Sequence, residues 1–417
     1  MRSHYKRIGD YVTQIKLKNT DDSISSLKGI NINKHFMPSV ANINGTDLSK
    51  YRVVKKNQFA FNPMHVGRDE VLPISMLEDD EPIIVSPAYV VFEVKDEEKL
   101  LPAYLMMWCR RSEFDRNAWF MTDNSVRGGF SWADFCDMEL PVPSIAKQRE
   151  IVREYNVVND RIALNEQLTQ KLEDTAQTIY KQWFVDFEFP ISKEYAESIG
   201  KPELEGKPYK SSGGEVIFCE EIDKDIPLVS KTRNLGDLIE SISKTHDFKK
   251  DQLIFFNTSD ILAGKFLHSD YRPVIGMPGQ AKKSIQKGDI LFSEIRPANK
   301  RFALVRWDSE DYVVSTKLMV IRPKNQEFSN LRFYHYLTLP ETLRDFQQSA
   351  EGRSGTFPQI TFDVDIEERK VVTLPENVEV KWQTFLTSYY DYLFALMDEI
   401  ELLKEMTKVV ELKLSKL

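Results

Sequence analysis

The sequence predicts an α+β protein in which two tandem mixed α/β modules are joined by an antiparallel pair of long coiled-coil helices, with pseudo-twofold symmetry. Three observations carry this reading: the chain repeats itself, each copy is followed by a heptad seam, and a long polar connector separates the first seam from the second copy. The expected segments are a first module at 1–145, a central helix at 146–187, a connector at 188–230, a second module at 231–377 and a C-terminal helix at 378–417. A length of 417 residues exceeds what one hydrophobic core usually organises, so several domains are expected.

Four anchors define the repeat. Ile8-Gly9-Asp10-Tyr11-Val12 returns as Leu235-Gly236-Asp237-Leu238-Ile239, an offset of 227, each after a basic stretch. Lys56-Asn57-Gln58-Phe59-Ala60-Phe61 returns as Lys287-Gly288-Asp289-Ile290-Leu291-Phe292 at 231. The run Val85 to Val91 matches Val314 to Val320 at 229, and Arg127-Gly128-Gly129-Phe130 matches Arg353-Ser354-Gly355-Thr356 at 226. Four matches in one order at nearly one offset point to tandem duplication. Within each copy, the β-branched and aromatic runs Ile83 to Phe92 and Tyr312 to Ile321 read as strands. Pro102 to Ser112 and Asn330 to Thr338, dense in apolar residues and poor in breakers, read as helices.

The seams follow. Leu386, Tyr389, Leu393, Leu396, Ile400, Leu403, Thr407, Val410, Leu414 and Leu417 step by three and four without a break, the pattern of a coiled-coil stripe. Ile151, Tyr155, Val158, Ile162, Asn165, Thr169, Leu172, Ala176 and Ile179 form the central stripe, with polar Asn165 and Thr169 at mid-seam. Between them the connector holds Pro190, Pro202, Pro208 and the turn Ser211-Ser212-Gly213-Gly214, long enough to return the chain for antiparallel pairing. A seam of 32 residues, 386 to 417, spans about 48 Å at about 1.5 Å per residue, against about 34 to 36 Å for one turn of duplex, so the helices can act as a ruler.

Composition narrows the class. Hydrophobic residues make up 41% and charged residues 29%, which supports packed cores and argues against disorder. Cys109, Cys136 and Cys219 are odd in number and form no CxxC pair, so a reduced cytoplasmic chain is expected, with neither disulfide nor zinc site. The N-terminus lacks an apolar targeting core, and no stretch reaches a membrane span, so no membrane partner is expected. The net charge of -8 is unevenly distributed. Acid concentrates in the connector and in Asp398 to Glu405, while Arg52, Lys55 and Lys56 form one basic cluster and Lys282, Lys283, Lys287, Arg296, Lys300 and Arg301 form another.

No catalytic constellation stands out. There is no GxxxxGK[ST], HExxH or GxSxG pattern, and the six histidines show no metal-ligand spacing. Asn62-Pro63-Met64-His65 lacks the second proline and the aromatic of an amino-methyltransferase loop. Asp289 and Glu294 have no third partner that would make a nuclease site. The expected catalytic and metal sets are therefore empty.

The junctions resemble those of the specificity subunit of type I restriction-modification enzymes, over essentially the whole chain. Leu140-Pro141, Pro143 and Lys147-Gln148 look like the start of that family's central helix, and Tyr180 to Glu188 resembles its end. Gly206 to Glu215 is similar to the connector of one branch, and Asn62-Pro63-Met64 with Ser86-Pro87-Ala88-Tyr89 is similar to parts of its recognition domains. The second copy departs at its helix start, where Thr373-Leu374-Pro375-Glu376 is followed by no Lys-Gln step.

The resemblance implies two target-recognition domains, each reading half of a bipartite site in double-stranded DNA, with the helices setting an unread spacer. It implies two methyltransferase subunits using S-adenosylmethionine as partners, and translocating endonuclease subunits using ATP and Mg2+ for restriction, with no cofactor in this chain. Arg and Lys serve both phosphates and guanine edges, so Arg52, Lys55, Lys56, Arg127, Lys282, Lys283, Lys287, Arg296, Lys300, Arg301 and Arg353 are the candidate DNA contacts. Trp183, Phe184 and Phe187 are too apolar for a solvated helix end. They pack either on their own module or as a docking patch for a methyltransferase subunit. Two other readings stay open, a self-sufficient DNA modification enzyme and a coiled-coil adaptor that binds no DNA.

Overall fold

The computed structural model describes residues 5–39, 46–64, 66–122, 129–307, 310–325 and 327–415. The chain divides into two compact units, residues 1–166 with 398–417, and residues 167–397. Two helices of 40 residues, the central helix Ile145–Phe184 and the C-terminal helix Glu376–Ser415, each pass from one unit into the other.

The sequence repeat reappears as repeated topology. In unit 1 an antiparallel sheet orders Val12–Ile15, Val90–Val94, Phe59–Phe61 and Ile74–Met76. In unit 2 the same order is made by Ile239–Ile242, Leu318–Pro323, Ile290–Ser293 and Phe302–Leu304. Each module is then closed by pairing its first strand with its last, Tyr5–Arg7 with Glu139–Pro141 and Lys231–Asn234 with Lys370–Thr373. A long helix follows each closing strand within a few residues, so the helix position is set by the sheet closure.

The anchors explain why the repeat survives in sequence. Ile8–Asp10 and Leu235–Asp237 are both 3-10 turns whose first residue is fully buried. A Cβ on Gly9 would sit 2.7 Å from Cys136 Cβ, and one on Gly236 would sit 2.2 Å from Glu367 Cγ, so only glycine allows the turn to press on the chain before the closing strand. Asn57 and Gly288 occupy the same repeat position and both take positive φ, 62° and 87°. The next residue is buried in each copy and accepts a backbone N–H three residues back, Lys55 N to Gln58 Oε1 and Gln286 N to Asp289 Oδ2, both at 2.8 Å. Across the sheet the polarity is exchanged. Gln58 Nε2 donates to Glu93 at 2.8 Å, whereas Asp289 accepts two hydrogen bonds from Arg322 at 2.7 and 2.9 Å.

Four elements differ from the sequence expectation. The run 83–92 is two strands, Ile83–Val85 and Val90–Val94, and 312–321 falls in Tyr312–Ser315 and Leu318–Pro323. The turn Ser86-Pro87-Ala88-Tyr89, closed by Tyr89 N to Ser86 O at 3.0 Å, breaks the first, where proline supplies no ladder donor. The helix Pro102–Cys109 ends earlier and is followed by a second, Ser112–Met121. The connector is folded, with a helix Lys193–Ser198 and a hairpin of Val216–Cys219 on Lys224–Pro227, and its Phe189, Ile191, Ala196 and Tyr209 belong to the core of unit 2.

Within each unit the two long helices run antiparallel. In unit 1, Val158 and Ile162 pack against Ile400, flanked by ion pairs Arg161–Glu399 at 2.8 Å, Glu166–Lys404 at 3.0 Å and Glu154–Lys413 at 2.8 Å. In unit 2, Tyr389 Oη donates to Leu172 O at 2.9 Å, and Tyr180 meets Trp382 with ring centroids 5.7 Å apart. The stripe shifts by one residue here. Tyr180 and Tyr390 are buried where Ile179 and Tyr389 were expected, while Leu417 lies outside the described residues.

The units differ beyond the common frame. Unit 2 carries a second four-stranded sheet, ordered Tyr271–Pro273, Gln252–Phe256, Tyr312–Ser315 and Ala281–Ser284, with the middle pair parallel. Unit 1 has in its place two short pairs, Lys28–Ile30 with Phe36–Pro38 and Arg52–Val54 with Ile83–Val85.

Candidate nucleic-acid interface

In unit 2 the turn 315–318 sits where three separate segments meet. Thr316 N donates to Gln280 O at 2.9 Å, tying in the segment 275–283, and Lys283 Nζ donates to Leu318 O at 2.9 Å. Glu294 N donates to Lys317 O at 3.1 Å, and Lys317 Nζ contacts Glu294 Oε2 at 3.1 Å and Gln359 Oε1 at 3.4 Å. Ile360 N donates to Glu294 O at 2.9 Å and Arg296 N to Pro358 O at 3.1 Å, which zips the loop 353–360 onto the loop 293–300. Residues far apart in sequence are thus held at one end of the sheet by backbone hydrogen bonds.

Five of the sequence candidates fall on these segments: Lys282, Lys283, Arg296, Lys300 and Arg353. Arg296 and Lys300 flank the 3-10 turn Pro297–Asn299 and both adopt left-handed backbone, φ 46° and 53°. For side chains with a Cβ this costs about 1 kcal/mol each, a strain concentrated at functional loops. Arg296 leans on Thr356 O at 3.4 Å, and both residues are exposed. Lys282 is exposed and has no ion pair among the described residues. Lys283 is half-buried, and burial lowers its ammonium below the ordinary lysine range. Arg353 pairs with buried Asp365 at 2.6 Å, which fixes the base of its loop while leaving the arginine partly exposed.

The remaining candidates of unit 2 are placed differently. Arg301 spends its guanidinium on Ser259 O and Ile261 O, both at 3.0 Å. Lys287 precedes the strand Ile290–Ser293, at the opposite end of the sheet from the turn. Lys317 and the exposed Phe357 were not singled out from sequence. Lys317 lay inside a run read as strand, as did its repeat partner Ala88, and Pro87 was the one sequence signal of a turn at this position.

Among the described residues, unit 1 builds the same corner with fewer cations. Its turn 86–89 is met by Arg52, whose Nε donates to Pro87 O at 3.0 Å. Phe130 N donates to Pro63 O at 2.9 Å, the counterpart of the Ile360 to Glu294 bond, which makes Ile360 the structural equivalent of Phe130 and corrects the sequence match to Thr356 by four residues; Met64 N is held by Asn62 Oδ1 at 3.0 Å. Lys55 and Lys56 precede Asn57, hence lie at the other end of the sheet, and Lys56 pairs with Asp80 at 2.6 Å. Arg127 lies outside the described residues.

The aromatic helix end corrects one expectation. Phe184 and Phe187 are 6% and 1% exposed, and Trp183 packs on the same core, which is that of unit 2, so the three are accounted for by packing against the second module and the C-terminal helix, not by the module that precedes their helix. Trp382, fully buried, meets Phe184 at 5.0 Å and Trp183 at 5.5 Å between ring centroids. Arg332 stacks 3.6 Å from the Phe184 centroid, donates to Tyr180 Oη and to Val372 O, and lies 3.7 Å from the Glu379 carboxylate. Burial holds the Glu379 carboxyl above the ordinary range even against that arginine. Only Trp183 of the three keeps appreciable exposure.

Both helix starts are pinned by buried polar side chains. Gln148 is fully buried, accepts from Leu101 N at 2.9 Å, and donates to Lys99 O at 2.9 Å and Pro143 O at 3.0 Å. The second copy, which lacks the Lys-Gln step, uses Glu379, accepting from Leu374 N at 3.1 Å. Among the described residues no group of three His, Cys, Asp or Glu is placed to hold a metal ion, and no helix is long and apolar enough to cross a membrane.

Comparison with known proteins adds to this geometry. A family model described as the type I restriction modification DNA specificity domain matches residues 227–405. The chain is 42% identical over 182 residues to the type I restriction enzyme HindI specificity subunit of Haemophilus influenzae, covering 43% of this chain and 38% of that protein. It is 21% identical over 276 residues to the MjaIX specificity subunit of Methanocaldococcus jannaschii, covering 64% and 58%. The matches thus span less than two thirds of either relative, 38% and 58%. In fold, the crystal structure of a type I restriction-modification S subunit from M. genitalium superposes over 98% of this chain and 95% of that one, with a TM-score of 0.55 at 12% identity.

Proposed function

The chain belongs, through residues 227–405, to the type I restriction-modification DNA specificity family, and from that premise we propose that it is a non-catalytic, sequence-reading subunit. The carrying observation is the convergence of Lys282, Lys283, Arg296, Lys300 and Arg353 around the turn 315–318. Phosphate contacts by exposed Arg and Lys fix register, while the loops around them reach base edges.

Each module reads one half of a bipartite duplex site. The shared frame explains a common mode of docking, and the divergent parts explain two different half-sites: a second sheet and its loops in unit 2, short strand pairs in unit 1. The long helices set the unread spacer. Methyltransferase subunits supply S-adenosylmethionine chemistry and endonuclease subunits supply ATP and Mg2+ chemistry, this chain holding none of these groups. Docking of the methyltransferase rests on Trp183 alone among the three aromatics first considered.

The test is duplex selection on the full purified chain, with binding measured across salt. The reading expects enrichment of two short motifs at fixed separation, and affinity that falls with salt at about 0.9 log units per log unit for each neutralised phosphate. Methyl transfer or cleavage by the isolated chain would favour a self-sufficient enzyme. An absence of salt-dependent duplex affinity would favour an adaptor and sink the proposal.

A further inference from the structure

From the loop that joins Tyr271–Pro273 to Ala281–Ser284, we infer that Ile275 is an apolar wedge that the second module inserts between base pairs of its half-site. This rests on the DNA-reading proposal above.

Ile275 is 95% exposed, the highest among the exposed large apolar side chains of the described residues. Its exposure is built. On either side of it, Val274 and Met277 turn inward onto a small core of Leu253, Phe255, Ala281 and Val313. Val274 N donates to Asp251 O at 2.9 Å, Met277 N to Val274 O at 3.1 Å, and Ala281 N to Pro278 O at 2.9 Å, so the loop consists of successive closed turns. Gly276 takes φ 92°, with nothing within 4 Å of a Cβ placed there, which leaves the space beside the isoleucine open. Pro273 and Pro278 bracket the loop and restrict its backbone. A rigid loop that presents one aliphatic side chain to water is disfavoured in isolation and is suited to insertion.

Charge selects the occupant. Residues 271–283 contain Arg272, Lys282 and Lys283 and no acid. Arg272 and Lys282 are exposed and carry no ion pair among the described residues. The loop is also continuous with the basic corner, through Gln280 O to Thr316 N and Lys283 Nζ to Leu318 O, both at 2.9 Å. An aliphatic tip between free cations matches an unstacked step flanked by phosphates. It does not match the apolar floor of a protein groove, which gives such cations no partners.

The test compares the full wild-type chain with Ile275→Ser and Ile275→Leu on duplexes selected from a library with a randomised centre. Wild type and Ile275→Leu should enrich a deformable pyrimidine–purine step inside one half-site, and 2-aminopurine beside that step should brighten on binding. Ile275→Ser should lose the brightening and the preference at that step alone. Its affinity should fall about tenfold, as for one lost base-pair discrimination, with the salt slope unchanged. Unaltered 2-aminopurine fluorescence, or an Ile275→Ser chain that selects the same step as wild type, overturns the wedge while leaving the DNA-reading proposal intact. So does an Ile275→Ser chain that binds DNA normally but fails to assemble with a methyltransferase subunit, which assigns Ile275 to a protein contact. Wild type that enriches no sequence overturns both.

Discussion

Replacing Gln148 by Met should uncouple the central helix from the first module. Met fills nearly the same volume, so the effect isolates the polar contacts. Gln148 is fully buried and makes hydrogen bonds of 2.9, 2.9 and 3.0 Å to Leu101 N, Lys99 O and Pro143 O. Stranding the buried Leu101 N–H costs about 1 to 3 kcal/mol, and each carbonyl that loses its donor about 1 kcal/mol, for a loss of about 3 to 5 kcal/mol. In a unit of this size about 1 kcal/mol corresponds to about 2 to 4 °C, so the first module should melt about 10 °C lower. Hydrogen exchange during thermal unfolding separates the units, and the residues of unit 2 should keep their protection. Gln148→Glu should be worse at neutral pH, because it sets a charge against two carbonyls, and should partly recover as the carboxyl protonates. A Gln148→Met shift under 2 °C would refute the view that this side chain locks the helix to the sheet.

Other consequences are equally specific. His335, held between Gln177 Oε1 at 2.6 Å and Tyr390 Oη at 3.0 Å, has its pKa pushed down to about 3 by burial. Its unfolded value lies near 6.5, so its stabilisation is intact above pH 6.5 and is lost as pH falls, by about 1.4 kcal/mol per unit. Burial pushes Glu173 up to about 7, which acts in the opposite sense between pH 7 and about 4.5. Glu173→Gln should therefore unmask a fall of about 2 kcal/mol in unit 2 between pH 6.5 and 4.5, reduced by solvent at this half-buried site; a denaturation profile parallel to wild type would contradict the assignment. Gly288→Ala, at φ 87° with Asn330 Nδ2 2.7 Å from the new Cβ, should destabilise unit 2 by about 1 to 2 kcal/mol in denaturant titrations. Asn57→Gly at the matching position should be near neutral. Arg296→Ala and Lys300→Ala should each lower the salt slope of duplex binding by about 0.9, whereas Lys287→Ala, at the far end of the sheet, should leave it unchanged.

The repeat was legible because its anchors meet backbone demands that few residues satisfy. Gly9 and Gly236 lie where a Cβ collides, and Asn57 and Gly288 take positive φ. Those constraints survive divergence of the cores around them. The heptads placed both long helices for a related reason, since periodicity is local. What escaped was nonlocal. Arg332 and Glu379 pin the second helix start, yet neither resembles the Lys-Gln step that marks the first, and their partner Tyr180 lies on the other helix. Phe184 looked like a docking surface because its covering residue, Trp382, comes almost two hundred positions later. The basic corner was visible only as a list of cations. Backbone bonds through Lys317 and Ile360 decide that Arg296 and Arg353 are neighbours while Lys287 is not.

The central claim, that two modules read a divided site across a spacer set by the helices, is tested most directly by mapping methylated bases. Single-molecule methylome sequencing would be done in cells carrying the cognate methyltransferase with either the wild-type chain or one having a heptad inserted in both long helices. The account predicts a bipartite site whose half-sites stay unchanged while the spacer grows by about 3 base pairs, since seven residues add about 10.5 Å and each base pair about 3.4 Å. A single contiguous site, or a spacer indifferent to the insertion in a chain that still directs methylation, would contradict it.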